Sequence, residues 1–307
     1  MASMGTGEPA KQPPPSAYDK NGCLPANKVT NSCCNAASRG PVFSGGKCCY
    51  DFPQGTALPC CGRPFLVEGR ARVASVDGSP TQFAASSVER ARAVAARTWS
   101  QAGQFEHASV ASFLRFALEL LSFGAPLDLV EAALRAADDE VRHAELCFGI
   151  AERLDGGARA PSRFDLSGGD PRADVATVVG ALVLEGCVGE TIAAVLASRE
   201  QARTTDDAIR TALTEIAADE ARHAELAWRS LRWACEAFGD VARDAAAAAF
   251  QTAEREVARP ARLACDSVDD DALRDYGRSP ERDEQLTAAE VWARVVTPCR
   301  RALSLTA

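Results

Sequence analysis

Two eight-residue stretches carry the residues best suited to chemistry. Asp139-Glu140-Val141-Arg142-His143-Ala144-Glu145-Leu146 recurs 80 residues later as Asp219-Glu220-Ala221-Arg222-His223-Ala224-Glu225-Leu226, identical at seven of eight positions. The chain has three histidines, and two of them occupy the same slot of this repeat. In each copy a Glu and a His stand three apart, hence on one face of a helix and within reach of one metal ion. Carboxylate with neutral imidazole suits iron, manganese or zinc. A surface ladder of salt bridges with the neighbouring arginines would explain one such pair but gives no reason for its duplication. Upstream of each copy an apolar stretch offers another acid. Glu106 precedes Glu140 by 34 residues, and Glu185 precedes Glu220 by 35. The matched spacing favours Glu185 over Glu190 on the same stretch, with Glu190 as an extra candidate ligand.

The unit of the repeat is thus a helix pair, Glu then Glu-x-x-His, used twice. Two such pairs packed antiparallel bring four glutamates and two histidines to a common axis. Four buried carboxylates carry four negative charges, and stripping even one ion of water costs several kcal/mol. Too few Lys or Arg share those faces to neutralise them. Two divalent cations close the balance.

The helices that must position these residues are legible from their ends. Ser86-Ser87-Val88-Glu89 has the form of a capping box, and the helical period runs from there to Leu121, stopping at Gly124-Ala125-Pro126. A second helix spans about 127–154 and stops at Asp155-Gly156-Gly157. A third opens at Asp170-Pro171, a cap followed by proline at the first helical position, and runs to about 201. A fourth starts near Thr205-Asp206 and ends at Gly239. A fifth covers about 240–264 with a kink at Pro260, and Thr287-Ala288-Ala289-Glu290 caps a last short helix. Helices of this length are roughly 40–50 Å long, the dimension of a long four-helix bundle.

Residues 86–239 resemble the ferritin-like di-iron carboxylate superfamily, nearest in layout to rubrerythrin-type and D-E-x-R-H di-iron oxidases. The resemblance rests on the two D-E-x-R-H copies, each with an upstream Glu, and covers about half the chain. It implies an all-α, ferritin-like four-helix bundle with Glu106, Glu140, His143, Glu185, Glu220 and His223 as ligands to two iron ions, with manganese or a mixed pair as the alternative. Glu140 and Glu220 would bridge the metals at the catalytic centre. Asp139 and Asp219 would orient the imidazoles, and Arg142 and Arg222 would lock those aspartates. The implied activity is oxidoreduction of dioxygen or peroxide with an unidentified reductant. Alternatives are a ferroxidase or iron-binding protein without an organic substrate, and a bundle whose metals only hold the fold. The Cys-x-x-Cys rubredoxin domain of the rubrerythrin pattern is missing.

Around this site, Glu145 and Glu225 are expected to face Arg or solvent, His107 to sit at the core boundary, and Cys147 to be a small buried hydrophobe. Ser109 and Gly189 would leave room beside the ions. The three tyrosines, Tyr18, Tyr50 and Tyr276, lie outside the four helices, which argues against a stable tyrosyl radical.

The remaining sequence is organised differently. Seven of the 12 cysteines lie from Cys23 to Cys61, among Asn, Gly, Ser, Pro and Ala, which cannot build an apolar core. Adjacent pairs at 33–34, 48–49 and 60–61 suit disulfides to separate partners. A metal knot and reduced thiols are the alternatives, although zinc-type Cys-x-x-Cys spacing does not occur there. Seven is odd, so Cys265 or Cys299 would supply one partner. Residues 1–22 read as a disordered leader without a signal peptide, and the start at Met1-Ala2-Ser3-Met4-Gly5 reads as replacing a removed one. Residues 64–77 form a short hairpin turning at Glu68-Gly69, so a Cys-rich module spans 23–80, and 240–307 is a C-terminal helical extension. Oxidised cysteines would place the protein outside the cytoplasm, secreted, periplasmic or surface-anchored, with a cytoplasmic location as the alternative. With 34 Lys+Arg against 42 Asp+Glu, the net charge of −8 argues against a nucleic-acid or anionic-membrane partner. No apolar run reaches the length expected of a transmembrane segment. A homodimer is compatible with all of this.

Overall fold

The computed structural model describes residues 39–44, 47–51, 65–67, 70–77, 87–258 and 270–304. Among them the chain is mostly helical, with three two-stranded antiparallel pairs. The chain divides into two units, Met1–Thr56 with Arg262–Cys265, and Ala57–Ala261 with Asp266–Ala307.

In the first unit β1 (Arg39–Ser44) pairs with β2 (Lys47–Asp51), Ser44 opposite Lys47, with a register shift between Arg39 and Val42. The sequence between them, Gly45-Gly46, is a hairpin signal. The leader at 1–22, Cys265, the side chains of Cys23 to Cys61, and thus the choice among disulfides, metal knot and reduced thiols, lie outside the described residues. Cys299 is unpaired, and the side chains of the cysteines it would pair with lie outside the described residues.

The second unit holds the long helices: α1 (Ser87–Ser122), α2 (Leu127–Asp155), a continuous helix Val175–Arg203 and α5 (Asp207–Phe238). The continuous helix consists of α3 (Val175–Ala181), a π-helical stretch (Leu182–Glu190) and α4 (Thr191–Arg203). The α1–α2 turn uses Gly124 at φ +72°, a left-handed conformation that glycine adopts without a Cβ penalty. Asp206 caps α5 by accepting from the amides of Ala208 and Ile209, both at 3.0 Å. The third long helix starts later than its sequence indicates. Asp174, not Asp170, is its cap, accepting from Thr177 N–H at 2.8 Å. Pro171 lies before the helix, where Arg172 turns inward to a buried glutamate.

One helix, Val175–Arg203, is long and apolar enough by length and composition alone to cross a membrane. Much of this helix is buried inside the protein, and a helix surrounded by others needs the same all-round apolar surface. After α6 (Asp240–Val257), the stretch containing Pro260 lies outside the described residues. The short α7 (Asp270–Asp275) precedes α8 (Glu281–Val291), a π-helical stretch (Trp292–Val296) and α9 (Thr297–Ala302). Thr287 therefore lies inside α8, its hydroxyl donating to Asp283 O at 2.8 Å, and does not cap a helix. The hairpin at 64–77 is present as β3 (Leu66–Val67) with β4 (Arg70–Ala71). Beyond it, β5 (Val76–Asp77) pairs with β6 (Ala160–Pro161).

The buried apolar side chains form two main clusters. One contains Trp99, Leu154, Ile209 and Leu213, the other Phe116, Leu120, Leu182, Leu231 and Phe250. On each long helix the polar candidate residues fall between the stretches that supply these clusters. Apolar packing on both sides fixes their height along the helices.

Candidate metal centre

Glu106, Glu140, His143 and Glu220 converge, each offering one ligand atom within 4.8 Å of the others. Glu190, Glu220 and His223 form a second such group, so Glu220 belongs to both. All six residues are buried. Glu140 Oε2 is 3.5 Å from His143 Nδ1, and Glu140 Oε1 is 3.3 Å from His223 Nδ1. Glu220 likewise reaches His143 Nδ1 at 3.5 Å and His223 Nδ1 at 3.8 Å. Each of these two carboxylates therefore addresses both imidazoles, the placement a bridging role requires.

The opposite ring nitrogens are held by a crossed network. His143 Nε2 lies 3.1 Å from Asp219 Oδ2, and His223 Nε2 lies 3.3 Å from Asp139 Oδ2. Each histidine thus leans on the aspartate of the other repeat. Arg142 donates to Asp139 at 2.5 Å and reaches Asp219 at 3.5 Å. Arg222 pairs with Asp219 at 2.5 Å and with Asp139 at 3.2 Å. Burial pulls the Asp139 carboxyl up, but hydrogen bonds from His223 and Arg142 hold it well below the usual carboxylate range. Outward-facing Nε2 atoms anchored this way leave Nδ1 of both rings aimed at the glutamates.

Eight polar atoms in this cluster are buried without a hydrogen bond: Glu106 Oε2, both carboxylate oxygens of Glu140 and of Glu190, Glu220 Oε2, and Nδ1 of His143 and His223. Buried polar groups in folded proteins are almost always satisfied, and each left unsatisfied costs about 1–3 kcal/mol. An ion is the partner this donor set fits. The electrostatics agree. Burial, then the Glu140 and Glu220 carboxylates, raise the Glu106 pKa well above its ordinary value. Burial and Glu220 do the same to Glu190. Burial lowers the His143 pKa, yet Glu140 and Glu220 outweigh it and push it up to about 12. His223 is raised in the same way against the pull of burial, by Asp139, Glu140 and Glu220. A cluster that draws protons onto its ligand atoms is one whose field calls for positive charge, and a metal would displace those protons.

Glu185 does not join the cluster. Its carboxylate faces Arg172 at 3.5 Å, Arg115 at 4.0 Å and the Ser112 hydroxyl at 3.5 Å. Glu190 takes the place assigned to it. Counting from Glu to Glu assumed equal turns and equal overhang in the two helix pairs. In the structure Glu190 stands thirteen residues before the end of α4 and Glu220 thirteen after the start of α5. The two are level, and Glu185 lies five residues too far along. Between them the π-helical stretch, a feature frequent at functional sites, ends at Glu190.

The neighbouring expectations divide. Glu145 and Glu225 are exposed, and His107 is half-buried against Phe164. Cys147 is buried. Gly189 faces its own helix, where a Cβ would meet Leu184 O at 3.3 Å. Close packing belongs instead to Gly186, whose Cβ would lie 2.7 Å from that of Ala227. Ser109 is turned to its own helix, donating to Phe105 O. Open space beside the cluster comes from elsewhere: a cavity of about 20 Å³ lined by Glu106, Glu220, Cys147, Leu196 and Arg278 among others. The ring packed on His223 is Phe113, centroids 4.9 Å apart, and Tyr276 packs in the Trp99 cluster.

Two buried polar groups went unread in the sequence. Arg172 clasps Glu119 with Nε at 2.6 Å, Nη2 at 2.9 Å and its backbone N–H at 3.0 Å. Arg278 and the Ser279 amide hold Glu200 at 3.2 and 2.8 Å. Glu119 was findable as an acid on the apolar face that includes Phe116 and Leu120, whereas its partner comes from a loop with no periodic signal. Searches against protein-family models, curated proteins and solved structures find no match to this chain, so the site stands on its own geometry.

Proposed function

We propose that this protein is a di-iron carboxylate oxidoreductase of ferritin-like type, its four long helices forming a bundle around the Glu106, Glu140, His143, Glu190, Glu220 and His223 cluster. The observation that carries the reading is the set of eight buried, unbonded ligand atoms converging in two overlapping groups. Nitrogen and carboxylate oxygen in this proportion suit iron, with manganese as the alternative. Glu106, Glu140, Glu220 and His143 would hold one ion. Glu190, Glu220, His223 and Glu140 would hold the other.

Iron held there would supply electrons to dioxygen or peroxide. The chain's own residues do the rest. Glu140 and Glu220, each within reach of both histidines, fix the distance between the two positions. Asp139 and Asp219 hold both imidazoles with Nδ1 inward. Apolar packing on either side shields the site from bulk water, and Glu106 and Glu190 would each present a carboxylate to one ion. The absence of a tyrosine among the described residues around the cluster fits two-electron chemistry without a stable tyrosyl radical.

Oxidation of iron itself, without an organic substrate, is the second reading. The cavity against Glu106 and Glu220 favours it, because about 20 Å³ gives room for a water-sized molecule.

Metal analysis of anaerobically purified protein tests the proposal. About two iron ions per chain are expected, and the reduced protein should reoxidise on adding oxygen or hydrogen peroxide with no persistent radical by electron paramagnetic resonance. A reduced di-metal protein inert to both oxidants would leave only a structural role for the metals. The Cys-rich segment supports an extracytoplasmic location. Alkylation of unreduced protein checks this, since seven reactive thiols from that segment would sink it.

A further inference from the structure

We infer that the outer seam of the α1–α2 hairpin is the surface on which two copies of this chain pair. Between residues 112 and 121 of α1 every position is buried except three, and all three are leucines: Leu114, Leu118 and Leu121, 46, 53 and 52 % exposed. Their 4–3 spacing is that of a coiled-coil seam. On α2, Leu127, Leu134 and Val141 recur every seven residues, 76, 50 and 44 % exposed.

Helical register joins the two rows. Gly103 of α1 lies against Phe148 of α2, where a Cβ would come within 2.8 Å of the ring. Leu114 and Leu121 stand three and five full turns from Gly103 at 3.6 residues per turn. Val141, Leu134 and Leu127 step back from Phe148 in sevens. The flank of α2 that bears Arg142 is turned the other way, to Glu215 and Asp219 of α5. Both rows therefore border the α1–α2 seam on its solvent side.

Six aliphatic side chains about half open offer on the order of 500 Å², the upper range for the largest patch on a monomer. That is more than half of the roughly 800 Å² each partner buries in a standard interface. A second copy is the occupant that fits. A two-fold axis lays one apolar strip on its equal, and the strip's antiparallel rows are suited to it. The charges beside it do not oppose the pairing, since Glu131 bonds Arg135 at 2.7 Å and Asp138 bonds Arg142 at 3.3 Å within the same helix. The Cys-rich segment carries Leu24, Val29, Val42, Phe43, Phe52 and Leu58, but at no four–three spacing that would match the strip. An anionic membrane would meet a protein of net charge −8.

Light scattering on the purified full-length protein across micromolar concentrations tests this. The expected mass is twice the 32.4 kDa chain. Leu118→Lys with Leu134→Lys should raise the dimer dissociation constant about a hundredfold or more, because like charges are forced together, while the helical circular dichroism and metal content stay unchanged. Leu127→Glu, at the most exposed position, provides the same test if the double variant folds poorly. A single-chain mass for the unmodified protein overturns the proposal. So does a mass that stays doubled in the charged variants.

Discussion

Two buried carboxylate clusters share α1 and the Val175–Arg203 helix, and they solve the same electrostatic problem in opposite ways. At one, Glu119 and Glu185 are faced by Arg115 and Arg172, so that two acids meet two bases drawn from the chain itself. At the other, Glu106 and Glu190 join Glu140 and Glu220 around two imidazoles, and the nearest arginines are spent on Asp139 and Asp219. The first cluster is closed by ion pairs with arginines of the chain itself. The second holds buried oxygens and nitrogens without a hydrogen bond, in two groups that could each hold a metal ion. Burial alone therefore does not mark a functional acid. What separates the two clusters is whether an arginine of the chain or an imidazole faces the acids.

The largest effect expected from breaking this contrast lies at the shared carboxylates. Glu140→Ala should leave at most one ion per chain, and Glu140→Ala with Glu220→Ala should leave none by metal analysis. Full occupancy in the double variant would falsify the assignment. Next comes the exchange between Glu190 and Glu185. Glu190→Gln should lose about one ion, whereas Glu185→Gln should keep both. The reverse pattern would restore the spacing argument from the sequence.

Removing a base from the closed cluster should act on stability instead. Arg172→Met leaves Glu119 and Glu185 to share Arg115 alone and should cost about 3 kcal/mol, as breaking a buried ion pair does, read by denaturant unfolding at unchanged metal content. Loss of metal with full stability would merge the two clusters into one function. For the open cluster, chelation should lower the unfolding free energy by about 2.7 kcal/mol when the free metal stands at a hundred times its dissociation constant. Chelation should do nothing to the Glu140, Glu220 double variant.

The smallest effect concerns the turn that sets Glu190 level with Glu220. Asp206→Ala removes the α5 cap and should cost about 1 kcal/mol without altering metal content. The Asp206 pKa is lowered by Arg153, against burial, and by the amides of Ile209 and Ala208. A depressed carboxylate stabilises the fold above its unfolded value near 3.9, and that contribution is lost as pH falls through the folded value. The difference between the variant and the unmodified protein should therefore be full at neutral pH and vanish in acid, by thermal unfolding across that range. A difference that persists in acid would mean the cap does not act through its charge.

Helix ends were readable because they rest on local rules. Gly124, Gly156, Asp206 and Gly239 each terminate or cap a helix where their residue type indicates. The start at Asp170-Pro171 was misread because Asp174 offers an equally good cap, and Arg172 is needed extended to reach Glu119. Thr287 carries a capping pattern that tertiary contacts, such as the Arg199 bond to its hydroxyl, absorb into a helix interior. The crossed bonding of Asp139 to His223 and Asp219 to His143 was out of reach, since the repeat names the residues but not which helix each one faces.

The sequence by itself determined the chemistry of the open cluster. Glu and His three apart share a helical face whatever the helix packs against, so the duplicated motif selects its donors through local geometry alone. Which upstream acid completes the set was decided by tertiary structure. Height along a helix depends on the overhang and turn of its partner, and the side chain that neutralises Glu185 arrives from a loop, so only the packed chain separates the acid that has a base from the acid that has none.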